Sequence, residues 1–436
     1  MARLIFVNRY FHPDHSATSQ MLSRLAFACA ASGHEVSVIT SRQLYGDANA
    51  QLPAREVIDR VTVHRVSTTR FGRSGLMLRA FDYVTFYCSA LWCLLWLART
   101  SDVVIIKTDP PLLSLVLGPV AWVRGAKVVN WLQDVFPEVA EHVLARPTAR
   151  SRLLAAPLKQ LRNFWLRRAS VNVVLGDRMA RHVADLGVDP LRIRIIANWA
   201  DGASIRPIAR DDNDLRRSWG YDGQFVVGYS GNLGRVHDFA TFVDAAELLE
   251  RDPGSVGPAG RPIRWLFTGG GALHDAFAGE VKLRNLSSVD MKPYQPQETL
   301  AASLSVADVH LVSLRPQFEG LVVPSKYYGI AAAGRMTIFI GDAKGEIAEA
   351  LRRDGSGYCI AQGDGAALAR LVARLAQDDT PVSELGSHAR SAFEKRYAFE
   401  HAFVAWQTLF AELTVSIGDS RRSGRLMRKH TDVHGR

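Results

Sequence analysis

The most informative stretch of the chain is residues 319–335, which read Glu-Gly-Leu-Val-Val-Pro-Ser-Lys-Tyr-Tyr-Gly-Ile-Ala-Ala-Ala-Gly-Arg. Proline is favoured in the first turn of a helix, so Pro324 predicts the point where a loop becomes a helix. The opening N–H groups of that helix, the Ser325 hydroxyl and the Lys326 ammonium together suit an anion. The small residues that end the helix allow close packing. This order predicts an anion-binding strand–loop–helix connection, although α/β domains also contain ordinary connections of the same kind.

Short β-branched runs alternate with longer amphipathic stretches along the whole chain, as in βαβ units on parallel sheets. The predicted strands of a first series are Leu4–Asn8, Glu35–Thr40, Val61–Val66, Val103–Lys107, Lys127–Leu132, Val171–Val174 and Ile193–Ile196. Those of a second series are Phe225–Ser230, Ile263–Thr268, Val289–Pro293, Val309–Leu314, Met336–Ile340 and Tyr358–Ile360. We therefore predict an α/β protein with two Rossmann-like, doubly wound domains facing across a cleft, where ligands bind at the carboxyl ends of the strands.

The domain boundaries follow from Asn198–Gly220, a polar stretch without apolar periodicity that is interpreted as a hinge. A long helical pattern, Leu385–Leu413, follows the second series of strands. We place the first domain at residues 1–200, the second at 201–384, a C-terminal helix that crosses back onto the first domain at 385–418, and a basic tail, expected to be disordered, at 419–436.

The 436 residues carry a net charge of +10, and 47% of them are hydrophobic and 22% charged, as in an ordinary folded protein. Residues 145–170 contain seven Lys or Arg and no acidic residue, and the last seventeen residues contain six and a single Asp. The rest of the chain is therefore nearly neutral. Charge confined to two strips, without an aromatic-basic ladder, excludes a general nucleic-acid binder. The four cysteines are scattered, so neither a disulfide framework nor a metal site is expected.

One apolar stretch raises the question of a membrane. Tyr83–Ala98 is uncharged over sixteen residues, and as a helix it would span about 24 Å, less than the roughly 30 Å of the hydrocarbon core. It is interpreted either as a buried helix or as an interfacial element with Phe86, Trp92 and Trp96 at the headgroup level. The first apolar run, Leu4–Val7, is too short for a signal peptide.

The internal basic strip has an amphipathic pattern. Residues 146–168 interleave Arg and Lys with Leu, Phe and Trp, which is typical of a basic helix that lies on a membrane. Arg162, Trp165, Arg167 and Arg168 are assigned to an anionic membrane surface, where each cation contributes about 1 kcal/mol. The alternative is a solvated helix whose Leu and Trp side chains belong to the core.

Two glycine-rich turns follow the first two strands of the second series. The first contains Gly231, Asn232, Gly234 and Arg235, and the second contains Gly269 and Gly270. Glycine lets a phosphate approach the backbone closely, and Arg235 beside a helix N-terminus suits a diphosphate. Either turn alone is common in Rossmann-like domains, but the two together favour phosphate binding.

With these motifs the chain resembles the retaining GT-B glycosyltransferases of family four over nearly its whole length. The resemblance rests on residues 319–335 and on Tyr10–Asp14, Gly33–Thr40, Trp131–Glu138 and Ala197–Asp201. Within the family it is similar to membrane-associated enzymes of bacterial exopolysaccharide and O-antigen assembly, of the colanic-acid type. It implies sugar transfer from a UDP- or GDP-linked donor to a polyprenyl-diphosphate-linked acceptor. The enzyme is then expected to be cytoplasmic, held peripherally or monotopically at the anionic inner face of the cell membrane.

Such transfer stabilises an oxocarbenium-like sugar and a leaving diphosphate, which cations and helix N-termini can do without a metal ion or cofactor. Arg235, Ser325, Lys326 and the backbone of Gly231 and Gly234 are assigned to the diphosphate. Glu319 is the candidate for the sugar hydroxyls or the developing positive charge. Asp134 is the candidate for acceptor contact or proton transfer, against the alternative of a helix N-cap.

The chain departs from the family pattern at two places. Its first glycine-rich turn has Asn232 and His237 where the family often has Arg and Lys. The second of the family's paired glutamates is replaced, since Tyr327 and Gly329 stand where it is expected. Glu346 is the alternative ribose-binding carboxylate, against an ordinary first-turn acid.

Two other functions are compatible with the sequence. A GT-B-like UDP-N-acetylglucosamine 2-epimerase shares the two-domain architecture but needs no membrane surface. A membrane-docked scaffold with a decayed donor site would explain the missing glutamate. Turnover of the donor without an acceptor distinguishes the first, and failure to bind any nucleotide diphosphate distinguishes the second.

Overall fold

The computed structural model describes residues 2–47, 49–71, 76–143, 149–252 and 260–414, and the basic tail lies outside them. Its strands form two sheets. The first sheet contains β1 Arg3–Val7, β2 Glu35–Ser41, β3 Arg55–Ile58, β4 Val61–Val66, β5 Val103–Lys107, β6 Lys127–Trp131, β7 Val171–Val174 and β8 Ile193–Ile195. The second contains β9 Phe225–Asn232, β10 Ile263–Gly270, β11 Val289–Lys292, β12 Val309–Ser313, β13 Met336–Ile340 and β14 Gly357–Ile360.

Helices connect most of these strands. The helices of the first half are α1 Ala17–Ala31, α2 Leu76–Leu97, α3 Leu113–Val123, α4 Glu138–Val143, α5 Ala149–Arg168 and α6 Asp177–Asp185. Those of the second half are α7 Asp214–Ser218, α8 Ala240–Arg251, α9 His274–Leu283, α10 Leu300–Val306, α11 Lys326–Ala332, α12 Glu346–Asp354, α13 Gly365–Gln377 and α14 Thr380–Ala392. A further helix, α15, spans residues 399–414.

Helices cover both faces of the first sheet, whose order is β3-β4-β2-β1-β5-β6-β7-β8. Successive side chains of a strand point to opposite faces. On β1, Leu4 and Phe6 belong to the apolar cluster that includes α1 and α15, whereas Ile5 and Val7 belong to the cluster that includes α2 and α3. The second sheet is parallel with the order β11-β10-β9-β12-β13-β14. The predicted pair of doubly wound α/β sheets is confirmed.

Two details differ from the sequence prediction. Strand β3 was not predicted, because Arg55–Ile58 is a four-residue edge strand, antiparallel to β4, with no buried residue. The single helix predicted over Leu385–Leu413 is wrong. The chain leaves α14 through a wide helical turn at Phe393–Tyr397, and Ala398 then forms a parallel bridge with Ala200 before α15 begins.

The two domains meet where the loop before α11 lies against the chain that follows β6. Asp134 forms an antiparallel β-bridge with Val322, and the Val135 N–H donates to the Leu321 carbonyl at 2.9 Å. Buried side chains from both domains belong to one continuous apolar cluster. The stretch that indicated the fold thus lies between the domains.

Candidate active site

The two glycine-rich turns lie side by side at the carboxyl ends of β9 and β10. Gly231 pairs with Gly269, and Asn232 pairs with Gly270, in the parallel ladder. The Leu233 N–H donates to the Gly270 carbonyl at 2.6 Å. Gly269 has a φ of +141°, and a Cβ built there would lie 2.2 Å from the Gly231 carbonyl oxygen, so only glycine fits. The predicted phosphate-binding turns therefore form one continuous backbone surface.

Lys326 approaches the first of these turns from the start of α11. Its Cε lies 3.3 Å from the position of a Cβ built on Gly231, and its Nζ lies 2.9 Å from His237 Nε2. His237 Nδ1 lies 2.5 Å from the Ser313 carbonyl oxygen. A carbonyl can only accept, so Nδ1 carries the proton and Nε2 accepts from the ammonium. The structure thus brings the predicted cation to the predicted backbone surface.

Burial sets the charge of both members of this pair. It lowers the pKa of Lys326 to about 7. Burial first, and then the charge of Lys326, holds the pKa of His237 well below its usual value. His237 is therefore a neutral imidazole that holds the ammonium, and it does not replace the missing cation of the family pattern.

The other predicted donor residues are more exposed. Asn232, the last residue of β9, is exposed, and in the loop between β9 and α8 Arg235 is exposed and Gly234 is partly exposed. Ser325 is the half-buried N-cap residue of α11, and its side chain caps no helix N–H. Because α11 begins at Lys326, the helix start predicted at Pro324 is two residues too early.

Glu319 and Glu346 lie together near the domain interface. The Glu346 N–H donates to Glu319 Oε2 at 3.1 Å, while Glu319 Oε1 is buried without a hydrogen-bond partner in the described part of the chain. Burial raises the pKa of Glu319 to about 7, with help from the charges of Asp342 and Glu346. Glu346 Oε2 accepts from the Arg178 N–H of the first domain at 2.9 Å. Glu346, predicted to bind the donor, thus uses one carboxylate oxygen in an interdomain contact.

Asp134 shares its surroundings with two ionisable residues at the end of β5. Burial raises the pKa of Asp134 to about 6, the charge of Asp109 adds to this effect, and that of Lys107 opposes it. Burial also raises the pKa of Asp109 to about 6 and lowers that of Lys107 to about 7. The Lys107 ammonium donates to the Thr18 carbonyl at 2.8 Å and lies 4.0 Å from the centre of the Trp131 ring. Two carboxylates of raised proton affinity therefore interact electrostatically with one ammonium.

Lys107 and Asp109 were not predicted from the sequence. Both lie at the carboxyl end of β5, the strand that pairs with β6, so their position on the sheet was the available signal. The N-cap alternative for Asp134 is wrong, because α4 begins four residues later at Glu138.

The first domain presents an exposed apolar surface, which we call the α2–α3–α5 face. Its exposed apolar residues are Phe81, Val84, Trp92 and Trp96 on α2, Trp122 and Val123 on α3, and Leu161 and Phe164 on α5. The Arg168 guanidinium lies 5.3 Å from the Trp122 ring centre and 5.0 Å from that of Phe164. Arg167 is exposed beside it. Four of the residues assigned to the membrane, Trp92, Trp96, Arg167 and Arg168, are thus accessible.

The other three residues assigned to the membrane point inward. Phe86 is fully buried in the apolar cluster beneath α2. Arg162 is 4% exposed, and its guanidinium binds both carboxylate oxygens of Glu138, at 3.0 and 2.6 Å. Trp165 is half-buried, with its ring 3.4 Å from a Cβ built on Gly118. The assignments of Phe86 and Arg162 are wrong, because a helix that packs on a sheet buries one of its sides.

Helix α2 combines the two interpretations offered for the apolar stretch. Ala80–Leu97 is long and apolar enough to cross a membrane by length and composition, with a mean hydropathy of 1.3. Core helices of soluble proteins can meet the same criterion, and α2 packs Phe86, Ala90 and Leu94 against the first sheet. One side of α2 is therefore core, and its other side is the exposed stripe of the α2–α3–α5 face.

Comparison with known proteins relates the chain to glycosyltransferases. Residues 17–199 match the glycosyl transferase 4-like domain. The chain is 28% identical over 303 residues to WbjE of Pseudomonas aeruginosa, described as a glycosyltransferase, and the match covers 69% of this chain and 72% of WbjE. It is 23% identical over 347 residues to WcaI of Escherichia coli, described as a colanic acid biosynthesis glycosyl transferase, with coverage of 78% and 83%.

Solved structures share the fold. Sucrose-phosphate synthase from Thermosynechococcus elongatus matches with a TM-score of 0.74 at 16% identity, over 95% of this chain and 100% of that chain. HepE from Anabaena, solved with UDP-glucose, matches with a TM-score of 0.63 at 12% identity, over 97% of this chain and 100% of that chain. The predicted GT-B fold is confirmed. With its match to the glycosyl transferase 4-like domain at residues 17–199, the chain resembles the family 4 GT-B glycosyltransferases of the colanic-acid and O-antigen type.

Proposed function

We propose that the protein is a retaining glycosyltransferase that moves a sugar from a UDP- or GDP-linked donor to a polyprenyl-diphosphate-linked acceptor. The observation that carries this proposal is the β-bridge between Asp134 and Val322. It joins the backbone of Asp134 in the first domain to the loop that reaches Lys326 four residues later. This contact supports the proposal that Asp134, as a proton acceptor for one substrate, and Lys326, as a cation for the other, serve one interdomain site.

The donor is bound at the second domain. The diphosphate lies on the backbone of Gly231 and Gly269, where the Lys326 ammonium compensates the charge that develops as the bond from the anomeric carbon to the diphosphate oxygen breaks. Arg235 and the Ser325 hydroxyl contact the same diphosphate, and no metal ion is required. HepE, which shares the fold, was solved with UDP-glucose, which favours a UDP-linked donor.

Glu319 is assigned to the sugar. Its Oε1 atom is buried without a partner among the described residues, a costly state that a sugar hydroxyl would relieve by donating to it. The backbone N–H of Glu346 supports this placement, because it donates to the other carboxylate oxygen of Glu319, Oε2. We therefore assign Glu346 to positioning Glu319 and not to the ribose.

The acceptor is bound at the first domain. Its hydroxyl oxygen forms the new bond to the anomeric carbon and releases its proton to the cleft. Asp134 and Asp109 are the groups that receive the proton, because a carboxylate whose pKa is raised to about 6 is a better base than an ordinary one. The charge of Lys107 opposes the rise in the pKa of both carboxylates.

The α2–α3–α5 face is assigned to the inner surface of the cell membrane. Trp and Phe side chains are favoured at the headgroup level, and the exposed Arg167 and Arg168 add attraction to anionic lipid of about 1 kcal/mol each. In the described part of α2, α3 and α5 the one acidic residue, Asp82, is buried. A lipid-linked acceptor is confined to the membrane, so this face would bring the enzyme to its substrate.

A two-stage assay tests the function. A thermal-shift screen of nucleotide sugars identifies the donor, and that donor is then incubated with a polyprenyl-diphosphate sugar in anionic vesicles. We expect transfer with retention of the anomeric configuration, read by NMR of the product. Epimerisation of UDP-N-acetylglucosamine without any acceptor would support the epimerase instead. Failure to bind any nucleotide diphosphate by calorimetry would support the scaffold.

A further inference from the structure

A second cavity, of about 520 Å³, lies in the second domain away from the cleft. Its wall includes Arg210, Arg335 and Arg390, and also Ser383 and Ser387 on α14. Both serines are exposed, so the cavity is open to solvent.

The cavity and the glycine-rich turns lie at opposite edges of the second sheet. Asp308 and Arg335, which line the cavity, immediately precede β12 and β13. The glycine-rich turns follow the carboxyl ends of β9 and β10, which run parallel to β12 and β13. A five-residue strand is roughly 16 Å long. A ligand in the cavity would therefore not reach the donor site.

The two carboxylates of the cavity wall are already occupied by arginines. Asp308 is buried and accepts from Arg210 at 2.6 Å and from Arg216 at 3.3 Å. It also accepts from the Val226 N–H at 2.7 Å. Asp379 accepts from Arg210 at 3.2 Å and from Arg261 at 3.1 Å. Asp308 thus has donors on both of its oxygens, whereas both arginines reach the same oxygen of Asp379, Oδ2.

Arg335 has no carboxylate partner in the described part of the chain. Its Nη2 donates to the Ile208 carbonyl at 2.6 Å and to the Ser305 carbonyl at 3.1 Å, and its Nε is buried without a partner. Carbonyl groups satisfy hydrogen bonds but carry no net charge. Burial first, and then the charges of Arg216 and Arg210, lower the pKa of Arg335 despite Asp308. In the described part of the chain, Arg335 is thus a cation of the cavity wall that Asp308 stabilises through its charge but does not contact by an ion pair.

We propose that this cavity is a binding site for a small molecule that carries a phosphoryl group, separate from the donor site. The phosphoryl group lies between Arg335 and Arg210, and the serine hydroxyls of α14 contact the polar remainder. Three guanidinium groups and two hydroxyls line the cavity and suit the oxygen-rich shape of a phosphate monoester, although Arg210 pairs with Asp308 and Asp379 and Arg390 pairs with Glu394 at 2.7 Å. The volume exceeds that of a bare anion, which favours a sugar- or nucleotide-sized ligand.

A ligand bound in the cavity would also affect the linker between the two domains. Arg335 holds the Ile208 carbonyl, and Arg390 donates to the Ile205 carbonyl at 3.2 Å. Both carbonyls belong to the linker that follows the first domain, and Arg210 is part of the same linker. A ligand that ties Arg210 to Arg335 therefore restrains the linker.

Thermal shift of the full chain with glucose 1-phosphate tests the proposal, with potassium chloride at equal ionic strength as the reference. We expect a rise in Tm of about 2–4 °C near saturation. Ser387→Glu places a carboxylate in the cavity and should abolish the rise, whereas Ser387→Gln, of similar size and uncharged, should keep it. Lys326→Met should also keep it, because the donor site is elsewhere.

Each alternative result overturns the proposal. No rise in the wild-type chain, or an equal rise in Ser387→Glu, would exclude a phosphate site in the cavity. Loss of the rise in Lys326→Met would show that glucose 1-phosphate binds at the glycine-rich turns. A parallel titration with inorganic phosphate separates binding of the phosphoryl group alone from binding of the whole molecule. We expect a larger rise in Tm with glucose 1-phosphate than with inorganic phosphate.

Discussion

The ammonium of Lys326 lies 2.9 Å from Nε2 of His237, whose Nδ1 donates to the Ser313 carbonyl. Because Ser313 ends β12, the hydrogen bond ties the imidazole to the sheet, and the imidazole in turn fixes the ammonium above Gly231. Lys326 is thereby held in place before the donor arrives. This arrangement reduces the entropy that a flexible lysine would lose on binding.

Replacing Lys326 by Met should abolish most donor turnover without unfolding the protein. Methionine keeps the length and apolar stem of lysine and removes its charge. The expected loss in kcat is about 10²–10³, as for removal of one electrostatic contact to a transition state. The measurement is transfer at saturating nucleotide sugar, with Tm as the check on folding. Lys344→Met, at an exposed position, is the matched control, and turnover equal to wild type in Lys326→Met would refute the site assignment.

The pH dependence of kcat/KM should be a narrow bell. The carboxylates of Asp134 and Asp109 must be deprotonated, and because burial raises their pKa values to about 6 the rate should rise through pH 6. Lys326 must be protonated, and because burial lowers its pKa to about 7 the rate should fall above pH 7. Lys326→Arg keeps the charge at any pH. Its alkaline limb should move to higher pH, and an unmoved limb would assign that limb to another group, such as Lys107.

The sequence predicted the parallel strands well because both faces of each sheet are covered, and doubly covered strands are near-continuous apolar runs. Strand β3 was not predicted because an edge strand with no buried residue carries no such pattern. The break in the last helix was not predicted for the opposite reason. Phe393 and Tyr397 keep an apolar helical spacing, so the sequence pattern continues through the break. The helix is interrupted where Ala398 pairs with Ala200, a residue distant in sequence.

The candidate site was predictable where a short stretch of sequence shows its own pattern. The glycine-rich turns and the segment that contains Lys326 are such stretches. The shifted pKa values of Lys107 and Asp109 arise from burial and from charges on other segments, Asp134 in the case of Lys107 and Arg9 in the case of Asp109. Arg162 was assigned wrongly for a related reason, because a basic strip in the sequence does not reveal which of its cations is paired inside the protein.

Gly269→Ala should destabilise the second domain and disturb the donor site together. The new Cβ would lie 2.2 Å from the Gly231 carbonyl oxygen, at a φ of +141°. The expected cost is about 2–4 kcal/mol of unfolding free energy, measured as a lower urea midpoint. Gly279→Ala is the control, since its Cβ meets nothing within 4 Å in the exposed side of α9. That substitution should stabilise the chain by about 0.5–1 kcal/mol.

Arg162→Met should destabilise the first domain, whereas Arg167→Met should not. Removing the Arg162 guanidinium leaves the Glu138 carboxylate buried without its bidentate partner, at a cost of about 3–5 kcal/mol. Arg167 is exposed, so its replacement should change the unfolding free energy by less than about 0.5 kcal/mol. Urea unfolding of the two variants makes the comparison. Equal stability would contradict the assignment of Arg162 to the interior.

Binding to anionic vesicles should depend on the exposed tryptophans of α2. Trp92 and Trp96 are 61% and 71% exposed and lie one helical turn apart, so both can enter the headgroup region together. Replacing both by Ser should weaken partitioning by about 2–4 kcal/mol, or roughly 30- to 1,000-fold, because two large aromatic surfaces no longer leave water. Sedimentation with phosphatidylglycerol vesicles measures this change. Val404→Ser is the control, since Val404 is 61% exposed on α15, which covers the opposite face of the first sheet. If the tryptophan variant and the control sediment alike, the α2–α3–α5 face does not contact the membrane.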